Sequence, residues 1–441
     1  MDSARGTGEA TLSGEATLYR AVVLDTPANP FAGGALRAAQ DAGLLVRDGV
    51  IVARGPYADL RARHPEAAVV DLSEGLLLPG FVDTHVHFPQ VRVIGGLGMP
   101  LLEWLDRCAL PEEARMGDTS VAREVAGEFL TGLIGAGTTS ALVFGSHFAS
   151  AVDAFCEEAA ASGLRIATGL VVADRILRPD LLTTPERAHE ESVALARRWH
   201  GRGRLRYAVT PRFALSATPD LLASCAQTQS EVTGALFTSH VNENPVEIEE
   251  VRSLSGLPGY THTYDRPGLL RGSSVLAHNV HPTDEELAQL ADRGTAVAHC
   301  PTSNSALGSG LFPMRRHLDA GVALALGSDV GAGTGFCLLK EGLQAYFVQR
   351  LHPDGVPLTP AHLLYLATAA GARALGQEDE VGHLSEGMRF DAVWLRPRRG
   401  DPMDVGLRHA LDPSDALATV FALGTPADIA GVWVDGDRLV S

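Results

Sequence analysis

Two histidines separated by one residue, His85 and His87, follow the apolar run of residues 76–82. In an extended strand, the side chains at positions i and i+2 point to the same face. The spacing therefore allows both imidazoles to reach one metal ion. A strand that simply ends in two histidines would look the same, so the interpretation depends on what the other strands carry.

Later strands of the predicted fold also end in residues that can bind a metal. These residues are His240, His278, His299 and Asp329. Three imidazoles and one carboxylate suit a divalent ion such as zinc and leave one position for water. The predicted ligands are His85, His87, His240 and Asp329. Such an ion lowers the pKa of its water toward neutrality and so generates a nucleophile.

His278 has two possible roles beside this set of ligands. It is either a further ligand or a hydrogen-bond partner that orients the nucleophile. We favour the second role, because one ion already has enough ligands without it.

Glu243 follows His240 in the next loop and is the candidate proton shuttle. Its carboxyl group could take a proton from the activated water and deliver it to a substrate. The alternative is a surface glutamate at the start of a helix. We assign that solvated face to Glu247, Glu249 and Glu250 instead.

The elements that must position these residues alternate between strand and helix. The strand candidates are residues 76–86, 139–144, 165–172, 205–210, 235–240, 274–278, 295–299 and 322–329. Helices are predicted at residues 121–135, 149–162, 185–198, 219–228, 284–292 and 312–319. The pattern predicts an α/β fold, a (β/α)8 TIM-type barrel over residues 79–379, with its active site at the C-terminal ends of the strands. Closure of the barrel would bring His85, His87 and Asp329 together.

The two ends of the chain carry a different, β-rich pattern. Asp-Gly turns predict hairpins at residues 44–55 and 431–440, and further strands are predicted at residues 18–24, 69–72, 391–395 and 419–423. We therefore expect a small β-sandwich domain built from both termini, residues 18–78 plus 380–441. Residues 1–17 are rich in small and polar residues and are predicted to be a mobile segment.

Composition excludes several classes of function. A net charge of -17 over 441 residues argues against binding to nucleic acid or to an anionic membrane. Five scattered cysteines indicate free thiols in a reducing compartment, which predicts a cytoplasmic protein. Lys340 is the only lysine and follows the last barrel strand, so a carboxylated lysine bridging two metal ions is excluded.

Several segments together resemble one known family. They are residues 79–90 (PGFVDTHVHFPQ), 100–105 followed by 111–113, 210–213, 239–244, 299–304 and 327–330. On these motifs the chain is identified as a member of the amidohydrolase superfamily, in its mononuclear zinc deaminase branch. Within that branch it most resembles the enzymes that deaminate guanine.

The resemblance implies a role for each matching residue. One zinc ion per chain would be held by His85, His87, His240 and Asp329, with Glu243 as proton shuttle and His278 polarising the nucleophile. Gln90 and Arg212 would recognise the edge of the ring, with Arg212 donating to a carbonyl such as O6 and to an adjacent acceptor. Phe213 and Trp104 would pack against the ring. The alternatives are a core tryptophan at position 104 and a surface ion pair at Arg212.

The implied reaction is hydrolytic deamination of guanine to xanthine and ammonia in purine catabolism. Glu243 would also bind the substrate, protonating N3 before attack at C2, while Asp329 orients the nucleophile. The resemblance further implies a homodimer whose partner is a small purine. One rival is a sister enzyme that acts on another purine, a pterin or a triazine. The other is a non-catalytic relative that uses the barrel as a scaffold.

Overall fold

The computed structural model describes residues 15–440. Of the segment predicted to be mobile, residues 1–14 lie outside the described residues, and Thr17 already begins the first strand. Within the described part of the chain, no helix combines the length and the apolar character needed to cross a membrane.

Sixteen strands and seventeen α-helices make up the described fold. The strands are β1 Thr17–Asp25, β2 Arg37–Arg47, β3 Val50–Pro56, β4 Ala68–Pro79, β5 Phe81–His87, β6 Thr138–Phe144, β7 Arg165–Gly169, β8 Val171–Val172, β9 Leu205–Pro211, β10 Leu236–Val241, β11 Ser274–His278, β12 Ala296–His299, β13 Leu324–Leu326, β14 Ala392–Leu395, β15 Ile429–Val434 and β16 Asp437–Val440. The helices are α1 Tyr57–Arg63, α2 Leu101–Trp104, α3 Leu110–Arg115, α4 Thr119–Gly135, α5 Ala149–Ser162, α6 Pro185–Trp199, α7 Pro219–Glu231, α8 Pro245–Ser255, α9 Thr261–Asp265, α10 Asp284–Arg293, α11 Pro301–Ala306, α12 Met314–Asp319, α13 Leu338–Leu351, α14 Pro360–Ala367, α15 Ala369–Ala374, α16 Pro402–Arg408 and α17 Pro413–Leu423.

The middle of the chain forms the predicted parallel barrel. Its strands follow the order β5, β6, β7, β9, β10, β11, β12 and β13, with the short β8 paired to β9. The strands are almost wholly buried, as expected when helices cover a parallel sheet. The barrel is nearly closed between β13 and β5, where Thr84 Oγ1 donates to the carbonyl of Leu326 (2.8 Å) and the amide of Asp329 to that of His85 (2.9 Å). The prediction of a TIM-type barrel is confirmed.

A second sheet is built from both chain termini, as predicted. Its order is β16-β15-β14-β4-β1-β2-β3, so strands from the two ends of the chain meet at β14 and β4. The seven strands form one continuous sheet rather than two separate ones. It curls so that the turns of its two outer hairpins meet, with Gly436 against the Cα of Gly49. Tyr19, Phe390 and Trp433 pack in its core, with ring centroids 4.3 to 6.0 Å apart. The exact residues that divide the two domains stay a prediction.

Residues 165–172, predicted as one strand, form β7 and β8, and residues 69–72 belong to the longer β4. Three further predicted strands differ from the observed ones. The first was predicted as one run over residues 76–86, but Gly80 divides it between β4 of the terminal sheet and β5 of the barrel. A side chain at Gly80 would lie 2.2 Å from Thr139 Oγ1, so the crossing point requires glycine. The eighth barrel strand ends at Leu326, and Asp329 follows it in a turn.

The third, predicted at residues 419–423, is wrong: these residues end helix α17. Asp412 caps that helix by accepting hydrogen bonds from the amides of Ser414 and Asp415. Leu417, Val420 and Phe421 are buried at helical spacing. Capping and packing therefore outweigh the strand propensity of the Thr-Val-Phe run.

An ion-pair cluster joins the barrel to the terminal sheet. Arg165, at the start of β7, contacts Asp391 (2.8 Å), Asp435 (2.5 Å) and Glu380 (3.2 Å). The Arg165 side chain is 6% exposed and that of Asp391 1% exposed. Charges buried to this degree are retained only when they are paired, so the cluster fixes how the two parts of the chain meet.

Candidate active site

Three imidazoles and one carboxylate converge at the C-terminal end of the barrel. Asp329 Oδ1 lies 3.3 Å from Nε2 of both His85 and His87. Nε2 of His87 lies 3.2 Å from Nε2 of His85 and 3.3 Å from Nε2 of His240. The structure thus brings together all four predicted ligands, and all four are buried.

The protonation of these rings suits a cation among them. The carbonyl of Arg212 can only accept, so Nδ1 of His240, 2.6 Å away, carries the proton and Nε2 presents a lone pair. Burial lowers the pKa of His85 to about 4 and holds that of His240 well below its usual value. A cation between Nε2 of His240 and Nε2 of His87, which lie 3.3 Å apart, would satisfy that lone pair. The donor set therefore fits a zinc ion.

Asp329 is held as a carboxylate. Burial alone would raise its pKa, but the contacts from His85 and His87 more than offset this and hold the pKa well below its usual value. The residue has φ 50, in the left-handed region. The turn is fixed by the buried Asp83, which accepts a hydrogen bond from the amide of Ser328 (3.0 Å) and another from its hydroxyl group. Asp83 also accepts from the amide of His85 (3.2 Å), so one carboxylate braces both strand ends.

His278 and Glu243 complete the chemical side of the site. His278 Nε2 lies 3.5 Å from Glu243 Oε2 and 3.8 Å from Asp329 Oδ2. Nδ1 of His278 lies 2.9 Å from Asn304 Oδ1, which fixes the plane of the ring. His278 has φ 72, a strained conformation of the kind that clusters at functional sites.

The carboxyl group of Glu243 is buried and set apart from solvent. Ser309 Oγ donates to its Oε1 at 3.4 Å. Burial raises the pKa of Glu243 to about 8, and the charge of Asp329 adds to the rise. A carboxyl group with a pKa near neutrality can both accept and give up a proton under ordinary conditions.

The predicted ring-binding residues line one pocket beside this cluster. The pocket is walled by Gln90, Trp104, Arg212, Phe213, Glu243 and His278. Arg212 follows β9, and its guanidinium carbon lies 5.8 Å from the centre of the Phe213 ring. Trp104 and Arg212 are 3% exposed. Arg212 pairs with the buried Glu113, so it is not part of a surface ion pair.

A short helical lid closes the pocket. It consists of α2, a π-helical turn at Leu105–Ala109, and α3. Pro111 has no amide proton to donate to the carbonyl of residue 107. The amide of Leu110 donates to the carbonyl of Leu105, five residues earlier, which is the spacing of a π-helix. The cavity beneath the lid has a volume of about 20 Å³, room for about one water molecule. A ring-shaped substrate therefore requires more room than this conformation offers.

His299, a candidate from the sequence, lies outside the site, whereas three residues that were not predicted contact it. His299 ends β12 but stacks on Phe312 (centroids 4.1 Å apart) and lies outside the metal cluster. Asp83 hydrogen-bonds to the turn that carries Asp329, Asn304 contacts His278, and Glu113 contacts Gln90 and Arg212. All three stand within or beside the quoted motifs, but nothing in the motifs marks their contacts.

Glu247 is a correction to the predicted solvated face. Glu249 and Glu250 are exposed as expected, whereas Glu247 is buried and accepts a hydrogen bond from the hydroxyl of Tyr260. Burial raises its pKa to about 7. The three glutamates share one helix, and only the direction in which α8 packs distinguishes them.

Comparison with known proteins places this geometry in a family. The family model described as "Amidohydrolase family" matches residues 76–439, and one for an imidazolonepropionase-like composite domain matches residues 42–67. A probable guanine deaminase of Deinococcus radiodurans is 59% identical over 95% of this chain and 97% of its own length.

Solved structures share the whole fold. A guanine deaminase from C. acetobutylicum with guanine bound in its active site is 25% identical, with a TM-score of 0.89, over 96% of this chain and 100% of that one. An atrazine chlorohydrolase from Arthrobacter aurescens in complex with zinc and atraton is 25% identical, with a TM-score of 0.84, over 96% of this chain and 95% of that one.

Proposed function

Since this chain belongs to the amidohydrolase family, we propose that it is a hydrolase that deaminates guanine to xanthine and ammonia. One observation carries the proposal above the others. A single buried pocket places the hydrogen-bond donors Gln90 and Arg212 beside the histidine cluster and Glu243. Such a pocket binds the edge of a ring at one end and can carry out hydrolysis at the other. The guanine deaminases among its relatives support the same substrate.

The proposed cofactor is one zinc ion per chain. The residues that would hold it are His85, His87, His240 and Asp329. When bound, zinc supplies an activated water at neutral pH. The observed convergence of the Nε2 atoms of His85, His87 and His240 beside the Asp329 carboxylate supports this choice.

The side chains of the pocket orient the substrate. Arg212 and Gln90 donate hydrogen bonds to the acceptors O6 and N7 of guanine, and Phe213 and Trp104 pack against the ring. This places C2 and its amino group toward Glu243 and His278. The lid over the pocket excludes bulk water and so strengthens these polar contacts.

Glu243 moves the protons of the reaction. Its carboxyl group accepts a proton from the attacking water and passes one to N3 of the ring. His278 and Asp329 hold the water for attack at C2. Glu243 then takes the proton of the new hydroxyl group at C2 and gives it to the departing amino group. The C–N bond breaks as the C2 carbonyl forms, so that guanine and one water give xanthine and one ammonia.

Turnover of guanine by the purified protein tests the proposal. Zinc-loaded protein should form xanthine and ammonia in equal amounts, measured by chromatography and by an ammonia assay. Adenine, a pterin and an aminotriazine in the same assay test the sister activities. A zinc-loaded, folded protein that leaves guanine unchanged, or prefers one of the other rings, would contradict it.

We further propose that the enzyme acts in purine catabolism as a cytoplasmic homodimer. Support for the dimer comes from the family resemblance alone. Light scattering of the purified full chain measures its mass directly. A mass of twice the 46.5 kDa chain is expected, and a single-chain mass at micromolar concentration would contradict the dimer.

A further inference from the structure

Glu113, on lid helix α3, binds both residues that are proposed to read the purine edge. Its Oε1 accepts hydrogen bonds from Gln90 Nε2 and from Arg212 Nη2, each at 2.7 Å. Its Oε2 accepts from Arg212 Nε at 3.2 Å. The three side chains are buried. Bidentate pairing of this kind fixes the plane of the guanidinium group.

Glu113 also decides which way the amide of Gln90 points. At the other end of that amide, the backbone N–H of Gly331 donates to Gln90 Oε1 at 3.1 Å. An N–H can only donate and a carboxylate can only accept. The two contacts therefore hold the oxygen of Gln90 toward Gly331 and its nitrogen toward Glu113.

The groups left over for a ligand are all donors. Gln90 Nε2 has a second hydrogen, and Nη1 of Arg212 makes no hydrogen bond to protein among the described residues. An edge that offers only donors fits a ring with adjacent acceptors. It opposes a ring that presents an amino group, because two donors would then face each other in a buried site.

We propose that Glu113 is a positioning residue that fixes the donor polarity of this pocket and so makes the enzyme select 6-oxo purines over 6-amino purines. The inference rests on the proposed deamination of guanine and adds a source for its substrate specificity. Glu113 acts through Gln90 and Arg212.

The charge of Glu113 is held in place by its surroundings. Burial would raise its pKa, but the charge of Arg212 and the nearby ring of His147 hold it well below its usual value. His147 Nε2 lies 3.3 Å from Glu113 Oε2, outside hydrogen-bonding geometry. Glu113 therefore stays a pure acceptor over the working range of pH.

The variant E113Q tests the inference. The amide keeps the shape of the side chain but adds a donor, so Gln90 can turn over and present its oxygen to the pocket. The matched control is E112Q on the same helix, since Glu112 pairs only with Arg115 among the described residues. The substrates are guanine and 2,6-diaminopurine, which carries an amino group at C6 and the same reacting amino group at C2.

For E113Q we expect kcat/KM for guanine to fall roughly 10- to 100-fold, chiefly through KM. The preference for guanine over 2,6-diaminopurine should shrink about tenfold, while E112Q keeps the wild-type preference. If the role of Glu113 were purely structural, E113Q would lower kcat/KM for guanine and for 2,6-diaminopurine by the same factor. An unchanged preference in folded E113Q would overturn the inference even if its activity falls.

A second variant keeps the test open if E113Q does not fold. E113D retains the charge but shortens the side chain by one methylene, so it cannot reach both partners. Its preference for guanine should also shrink, and a wild-type preference would overturn the inference. If the wild type turns over guanine and both variants match it, only this inference fails. If the wild type does not turn over guanine, the proposed function fails as well.

Discussion

Asn304 contacts the ring of His278 without lining the pocket. Its Oδ1 lies 2.9 Å from Nδ1 of His278, and its Nδ2 has no hydrogen-bond partner within residues 15–440. Orienting partners of this kind typically change activity 10- to 100-fold when removed. We therefore predict that Asn304→Ala lowers kcat about 10- to 100-fold while KM changes little.

Steady-state kinetics with guanine check this prediction, with zinc content measured on the same sample. The control is Ser305→Ala on the same short helix, since the Ser305 hydroxyl bonds to the carbonyl of Pro301 and to Gln344, away from the site. A wild-type kcat in Asn304→Ala would show that His278 needs no such support.

Residue identity and spacing predicted the metal cluster and Glu243 but not the contacts of Asp83 and Glu113. His85, His87, His240 and Asp329 stand at strand ends, where barrel geometry brings them together. Glu113 adjoins Glu112, and only the rotation of about 100° between neighbours on a helix decides which carboxylate contacts Gln90 and Arg212. That rotation depends on how the lid packs, which no local pattern reports.

At the scale of elements, the lid controls entry to the site. Trp104 ends α2 and lines the closed cavity, and a side chain at Gly96 would lie 2.9 Å from its Nε1. Removing the indole would open the cavity and remove a stacking surface, which is typically worth about 1 to 3 kcal/mol per base. We predict that Trp104→Ala raises KM for guanine about 10- to 100-fold with zinc content unchanged.

Kinetics and metal analysis on one preparation test this prediction. Trp199→Phe serves as the control, because Trp199 lies on α6 and bonds through Nε1 to Asp153 (2.7 Å), away from the pocket. If Trp104→Ala binds guanine as tightly as the wild type, the lid has no part in recognition.

The ends of helices and strands could be predicted from the sequence where a capping residue or a turn residue marks them. Thr283 forms a capping box with Glu286 at the start of α10, which was predicted to begin at residue 284. The predicted boundaries are wrong where tertiary contacts determine the end of a strand. Residues 76–86 were predicted as one strand because the buried strands of both sheets are apolar, so the sequence shows no change between them. Only the close approach of Thr139 shows that position 80, between the two strands, has no room for a side chain.

At the scale of the whole molecule, the Arg165 cluster joins the two sheets. Replacing Arg165 would leave Asp391 buried and unpaired, a change that typically costs about 3 to 5 kcal/mol. We predict that Arg165→Ala lowers the free energy of unfolding by about that amount, measured by denaturant titration. Arg198→Ala is the control: its exposed pairs with Asp153 and Glu157 should contribute under about 1 kcal/mol. Equal effects of the two variants would contradict a structural role for the cluster.

Metal removal should affect the whole molecule as well. Chelation would leave the imidazoles of His85, His87 and His240 facing one another without a cation. A ligand at 100 times its Kd stabilises a fold by about 2.7 kcal/mol. We predict that chelation lowers the melting temperature and abolishes turnover, and that zinc restores both. The variant His85→Ala should melt at the same temperature with or without chelator, and metal-free wild type that still turns over guanine would contradict the metal site.

We propose that Glu243 moves the protons for the deamination of guanine in this pocket. The most direct measurement is the kcat for guanine of zinc-loaded E243Q beside wild type and E250Q, since Glu250 is an exposed glutamate on the following helix. Loss of a general acid–base group costs about 10²- to 10⁴-fold. E243Q should keep its zinc and its melting temperature and lose activity by that factor, while E250Q should match the wild type. An E243Q variant that forms xanthine at the wild-type rate would contradict it.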